Sequence, residues 1–162
     1  MPKHLLTFCL LLFLASCRTY SAWSPDERQA VAKEVQTVLE NYHHAINKQG
    51  LIGELPYLDS SSDFFWVPPG YATAIDYDSV VHFIRRNAPA FTLIDNSFDT
   101  LVAIPLSREI ATYTARIRSL MKDTTGGISS VTLIETGNLI KRRDGWKLLN
   151  GQTAVVEPQK VP

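Results

Sequence analysis

Asp59 and Asp63 bracket the approach to an apolar stretch, Phe64-Phe65-Trp66-Val67, and are the acids expected nearest the mouth of whatever pocket that stretch lines. A buried carboxylate can shuttle a proton on carbon, with a phenol or second acid to steady the oxyanion. Tyr42, Tyr57, Tyr71 and Tyr113 offer phenols. No local motif sets either aspartate on a catalytic position, and beside Ser60-Ser61-Ser62 both suit the capping of a turn. His43 and His44 are adjacent on a helical segment, where neighbours point about 100° apart, so both cannot serve one metal unaided. His82 has no carboxylate at a ligand spacing. Neither a GxSxG elbow nor a GxxxxGK[ST] or GxGxxG loop occurs. No metal and no cofactor is expected.

Charge excludes one class of partner. Lys plus Arg number 16 and Asp plus Glu 16 in 162 residues, so no global field draws the chain to nucleic acid. The two cysteines are Cys9 and Cys17. Cys9 falls in an apolar leader, which leaves Cys17 alone and rules out an internal disulfide or CxxC site in the processed chain.

That leader has Lys3 as its basic start and Leu5 to Ala15 as its apolar run. The run is shorter than the roughly 20 residues a membrane span needs and has signal-peptide length. It closes on Leu14-Ala15-Ser16-Cys17, which resembles the bacterial lipobox. The competing reading is a secretory signal holding a chance cysteine. The lipobox reading divides the chain into a signal peptide (1–16), a lipidated Cys17 with a short tether (17–24), a folded domain (25–156) and a loose tail (157–162). Arg18, rather than Asp, follows the cysteine and points to the outer membrane, facing the periplasm. Arg18 to Trp23 span ~20 Å at most, so the domain is held close to the membrane surface. Lys141-Arg142-Arg143 is then either solvated or near lipid headgroups.

Ser24-Pro25-Asp26-Glu27 is a helix start with a capping box. Val31, Val35, Val38, Leu39, Tyr42 and Ile46 continue it as one apolar stripe, which predicts a helix over 25–48. A short helix or turn is expected within 53–59, a buried strand at 63–67, a second short strand at 71–75, and a helix capped by Asp76 and ended by Pro89. Four long strands follow, at 92–104, 109–121, 129–142 and 146–156; Arg143-Asp144-Gly145 marks one hairpin turn between them. Strands this long must curl. The plan is α+β: a cone-shaped, strongly curved antiparallel sheet with the helices packed in its concavity. Thr112, Thr114, Arg116 and Arg118 share one face of their strand. Arg116 is then solvated, part of an interface, or turned into the cavity to meet an anion.

The order of elements, the Asp63-Phe64-Phe65-Trp66 strand with Gly70, and the closing Asp144-Gly145-Trp146-Lys147-Leu148-Leu149 through Ala154 resemble the nuclear transport factor 2-like superfamily, in its SnoaL-like and ketosteroid-isomerase-like branch. The resemblance covers about residues 25–156. It departs where the family often carries a late histidine and serine: this chain has Gln152 and Ala154, and glutamine is no acid or base near neutral pH. Pocket candidates are Tyr42, Phe65, Trp66, Tyr71, Phe83, Tyr113, Arg116 and Gln152, with Asp59 and Asp63 as weak catalytic ones. The expectation is a membrane-anchored domain that binds a small apolar or amphipathic ligand, or an envelope protein, without catalysis. The alternative is an isomerase or dehydratase working by proton transfer. The strands are apolar in both parities (Leu133-Ile134, Leu148-Leu149), which predicts a homodimer through the outer sheet face.

Overall fold

The computed structural model describes residues 23–156. Helix α1 (Pro25–Gln49) starts at the expected capping box: the Ser24 hydroxyl accepts from the Glu27 amide at 3.1 Å, and the Glu27 carboxylate accepts from the Ser24 amide at 2.8 Å. It ends at Gly50, whose positive φ of 68° is one that glycine adopts without strain. The chain then doubles back as a 3-10 segment, Gly50–Tyr57. A Cβ at Gly53 would run into the Ala45 carbonyl, so glycine is what lets this segment lie directly on α1. That close approach fixes where Glu54 points.

Strand β1 (Phe65–Val67) is short, and helix α2 (Tyr77–Asn87) follows, with Asp76 accepting from the Ser79 amide at 2.9 Å. The long strands β2 (Phe91–Pro105), β3 (Ile110–Asp123), β4 (Ile128–Arg142) and β5 (Gly145–Val156) form an antiparallel meander. Register shifts at 91–93, 98–100 and 138–139 add twist where the sheet curls. The sheet order is β1-β5-β4-β3-β2.

Two expectations are corrected here. The sheet is mixed, because β1 joins the free edge of β5 in parallel, after α2 and the whole meander have intervened. Residues 71–75 make no strand of their own; Ile75 forms a single bridge to Trp66.

The helices lie in the concavity, and its two halves are filled differently. Toward the start of α1, Val31, Val35, Leu39, Leu139, Trp146 and Leu148 close-pack. Glu27 at that end pairs with Arg108 of the β2–β3 turn at 2.8 Å. Beyond Tyr42 the packing opens into a cavity.

Candidate functional site

The cavity holds about 350 Å3. Its upper wall is apolar, with Trp66, Phe83, Ile94, Met121 and Leu133 among the lining residues. Strand period places its floor. On β4, Leu133, Glu135 and Gly137 face inward, and on β5 Thr153 does. Glu135 is therefore a buried acid, 3% exposed.

Each oxygen of Glu135 is held. The Tyr113 hydroxyl donates to Oε1 at 2.7 Å, and the Thr153 hydroxyl donates to Oε2 at 3.3 Å. The Trp66 indole N–H in turn donates to Thr153 Oγ1 at 3.2 Å, so an aromatic wall residue orients a floor residue. His43, 5% exposed on α1, brings Nε2 to 3.6 Å from Glu135 Oε1. That is longer than a formed hydrogen bond. On the other side of the imidazole, Asn96 Nδ2 lies 3.2 Å from Nδ1. Asn96 is itself fixed by Asn47: its amide donates to Asn47 Oδ1 at 2.7 Å and its carbonyl accepts from Asn47 Nδ2 at 2.9 Å. Among the described residues, His43 Nε2 and Asn96 Oδ1 are buried without a hydrogen-bond partner.

A second acid enters from the 3-10 segment. Glu54 lines the cavity, and the Tyr42 hydroxyl donates to its Oε2 at 3.2 Å. Burial, and then the charge of Glu135, push the Glu54 carboxyl up to about 8, so it is largely protonated at neutral pH. Burial also raises the Tyr42 and Tyr113 phenols, with further contributions from Glu54 and Glu135. Both tyrosines remain donors throughout the physiological range.

Of the residues proposed from sequence, Tyr42, Trp66 and Phe83 line the cavity, and Tyr113 reaches its floor through the hydroxyl. The others stand elsewhere. Phe65, next to Trp66 on β1, has the opposite parity and is 46% exposed. Tyr71 is exposed at the sheet edge, stacked edge-on against Phe83 at 5.7 Å. Arg116 lies on the outer face, 3.5 Å from Asp99. Gln152 is exposed on that same face, because its neighbour Thr153 takes the inward place. Asp59 is tied to Arg142 at 2.6 Å and to the Ser61 hydroxyl at 2.7 Å, and Asp63 is exposed; neither lines the cavity. Burial opposes the charge of Asp59, but the Arg142 and Ser61 hydrogen bonds outweigh it and hold the carboxyl below its ordinary value. Asp59 is a structural ion pair.

The acids missed were Glu54 and Glu135, and His43, weighed only as a metal ligand, was not placed at the site. Each carries a signal in the chain: one acid in Leu51-Ile52-Gly53-Glu54-Leu55, one in Leu133-Ile134-Glu135, and a histidine one position from Tyr42 on the apolar stripe. A polar group at a core parity either finds a partner or faces a cavity. The described residues contain no group of three or more His, Cys, Asp or Glu arranged to hold a metal ion.

No family model and no curated protein matches the sequence. Solved structures do match. A Streptomyces avermitilis member of the NTF2-like family, provisionally assigned as a dehydratase, superimposes with a TM-score of 0.70 at 13% identity over 81% of this chain and 99% of its own. An NTF2-like superfamily protein from Salmonella enterica gives 0.68 at 13% identity, covering 82% and 96%. A type 2 hexachlorocyclohexane dehydrochlorinase gives 0.67 at 10% identity, covering 85% and 100%. The domain has the nuclear transport factor 2-like fold. At these identities the likeness establishes architecture, and chemistry must be read from the cavity itself.

Proposed function

We propose that the domain binds a small, largely apolar molecule in the cone and moves a proton on it through Glu135. The observation that carries this is Glu135 itself: a buried carboxylate on the floor of an apolar cavity, with donors on both oxygens and an imidazole beside it. Two hydroxyl donors suit the carboxylate form, which is the form that accepts a proton. Tyr113 and Thr153 fix its direction, and His43 Nε2 stands beside it at 3.6 Å. A cavity that only held an uncharged apolar molecule would have no need of this arrangement. Two structural neighbours carry names, dehydratase and dehydrochlorinase, that denote eliminations. A proton leaves the substrate in both, which supports the reading.

A generic carbon acid tests it. 2-Indanone is flat and uncharged, and the exchange of its α-protons in D2O is followed by NMR. The protein should accelerate exchange over buffer, and Glu135→Gln should lower that acceleration about 100-fold or more. An undiminished rate in Glu135→Gln overturns the assignment and leaves binding alone.

We also propose a lipid anchor at Cys17, at the outer membrane, and pairing of two copies through the outer sheet face. Cys17 lies outside the described residues. The filled half of the cone supports a definite pose for the anchored protein. Tyr42 is ~25 Å along α1 from Ser24, and a tether of ~20 Å is too short to turn the cone end over end. The cavity then opens away from the bilayer and takes its ligand from the aqueous side.

A further inference from the structure

We infer that the cavity is built for a ligand bearing a positive charge: a small primary or secondary amine whose ammonium lies in the shared field of Glu54 and Glu135, with its hydrocarbon part against Trp66 and Phe83. The inference rests on the cavity being the ligand site, and it deepens the proposal above by naming the class of molecule; it does not depend on Glu135 acting as a base.

Three observations carry it. The first is the charge inventory of the wall. Two acids line the cavity and neither lysine nor arginine does. The remaining titratable groups there are Tyr42 and His43 of α1, with Tyr113 of β3 behind the floor. From β2, α2 and β5 come Ile94 and Asn96, Val80 and Phe83, and Thr153 and Val155, none of them charged. An anionic ligand would meet the charge of Glu135 with no lysine or arginine to offset it.

The second is a polar atom left without a partner. With Asn96 Nδ2 turned to His43 Nδ1, Asn96 Oδ1 is a buried acceptor with no donor on the cavity wall. A native core rarely leaves such an atom unsatisfied. A ligand N–H satisfies it directly.

The third is Glu54. The same cavity that makes its ionisation unfavourable supplies no countercharge, and a ligand ammonium would supply one. Binding near neutral pH then drives the Glu54 proton to solvent: an ammonium enters, the carboxylic acid becomes a carboxylate, and one proton leaves. Aromatic faces add to the preference for a cation, since Trp66 and Tyr42 both line the site.

Benzylamine, benzyl alcohol and benzoate have nearly one shape and three charges. Their binding to the full-length protein in detergent at pH 7 is measured by titration calorimetry, in phosphate and again in MOPS. Benzylamine should bind about tenfold or more tighter than benzyl alcohol, and benzoate should not bind. The difference in heat between the buffers should show proton release approaching one per benzylamine, and Glu54→Gln should abolish that release and weaken binding. Benzyl alcohol binding as tightly as benzylamine, or any binding of benzoate, overturns the inference. 2-Indanone, run alongside, separates the two proposals: its binding without benzylamine sinks the charge preference alone, and failure of all four probes sinks the cavity as a ligand site. The comparison among probes uses the unmodified protein, so it stands even if Glu54→Gln does not fold.

Discussion

The Tyr113 hydroxyl lies 2.7 Å from Glu135 Oε1, although the two residues do not face each other across the ladder. Tyr113 is registered with Gly137, and Glu135 with Ala115. The tyrosine therefore reaches diagonally, two positions along β4, as long side chains in antiparallel sheets can. Gly137 makes room for it. A Cβ there would crowd the Asn150 carbonyl and come within 3.2 Å of the Tyr113 ring. Site geometry and strand packing are one constraint at this point.

Tyr113→Phe removes the donor and keeps the ring. Glu135 then loses its shorter hydrogen bond inside the core, and an orphaned buried acceptor costs about 1–3 kcal/mol. Urea unfolding of the variant should show a loss of that size. A loss under ~0.5 kcal/mol would mean that water or His43 already satisfies Glu135.

Trp146 tests the filled half. It is 5% exposed, packs in the core and donates from its indole N–H to Glu34 Oε2 at 3.0 Å. Trp146→Ala should cost about 3–5 kcal/mol. Lys147, next to it, donates to the Pro56 carbonyl at 2.7 Å and pairs with Asp144 at 2.9 Å, and Lys147→Ala should cost no more than about 1 kcal/mol. Thermal melts of the two variants compare them directly, and equal shifts would contradict the burial of Trp146.

The elements were legible because their signals are local. A capping box, an apolar stripe at helical spacing, and Asp-Gly after a long apolar strand each act within a few residues. The parallel pairing of β1 with β5 was not, since nothing near Phe65 announces a partner at Asn150. The aromatics failed by parity. Trp66 and Phe65 are both apolar, and their sequence does not say which of them faces in. The acids failed for another reason: Asp59 and Asp63 drew notice by lying near one another, whereas Glu54 and Glu135 are distant in sequence and come to line one cavity through the fold, with Gly53 seating the 3-10 segment on α1.

Cys17 lies outside the described residues, and its proposed lipid is tested in cells. Cys17→Ala should give an uncleaved or freely soluble product on fractionation, and the wild-type protein should incorporate labelled fatty acid. Persistent labelling of the alanine variant would show that the anchor is elsewhere.

The outer face of the sheet has a mixed character. Val102 and Ile104 are 47% and 54% exposed, and their registered neighbours on β3 are Thr114 and Thr112. Arg116 and Arg118 share Asp99 nearby. Exposed apolar side chains bordered by polar ones on this face suit a protein interface. The chain beginning at Ser21 should sediment as a dimer, and Val102→Glu with Ile104→Lys should convert it to a monomer without lowering its helix content. A concentration-independent monomer in the parent chain would end the dimer proposal.

Glu54 gives stability a pH dependence of unusual sign for a carboxyl. Its ordinary value is 4.5, and in the folded protein it is pushed up to about 8, by burial first and by the charge of Glu135 second. Between those values the folded state holds a proton that the unfolded state has released. Stability must then fall as pH rises through this window and level off above it. Groups with lowered values, such as Asp59, act in the opposite sense, but their window closes below the ordinary aspartate range. The interval from about pH 5 to 8 therefore isolates the Glu54 contribution from theirs. Glu54→Gln keeps the size and hydrogen-bonding capacity of the side chain and removes its titration. Urea midpoints of the wild type should decline from pH 5 to pH 8, while those of Glu54→Gln decline less, so that the variant matches the wild type at pH 5 and exceeds it at pH 8. Parallel curves for the two proteins would show that Glu54 ionises normally, with water reaching it through the cavity mouth.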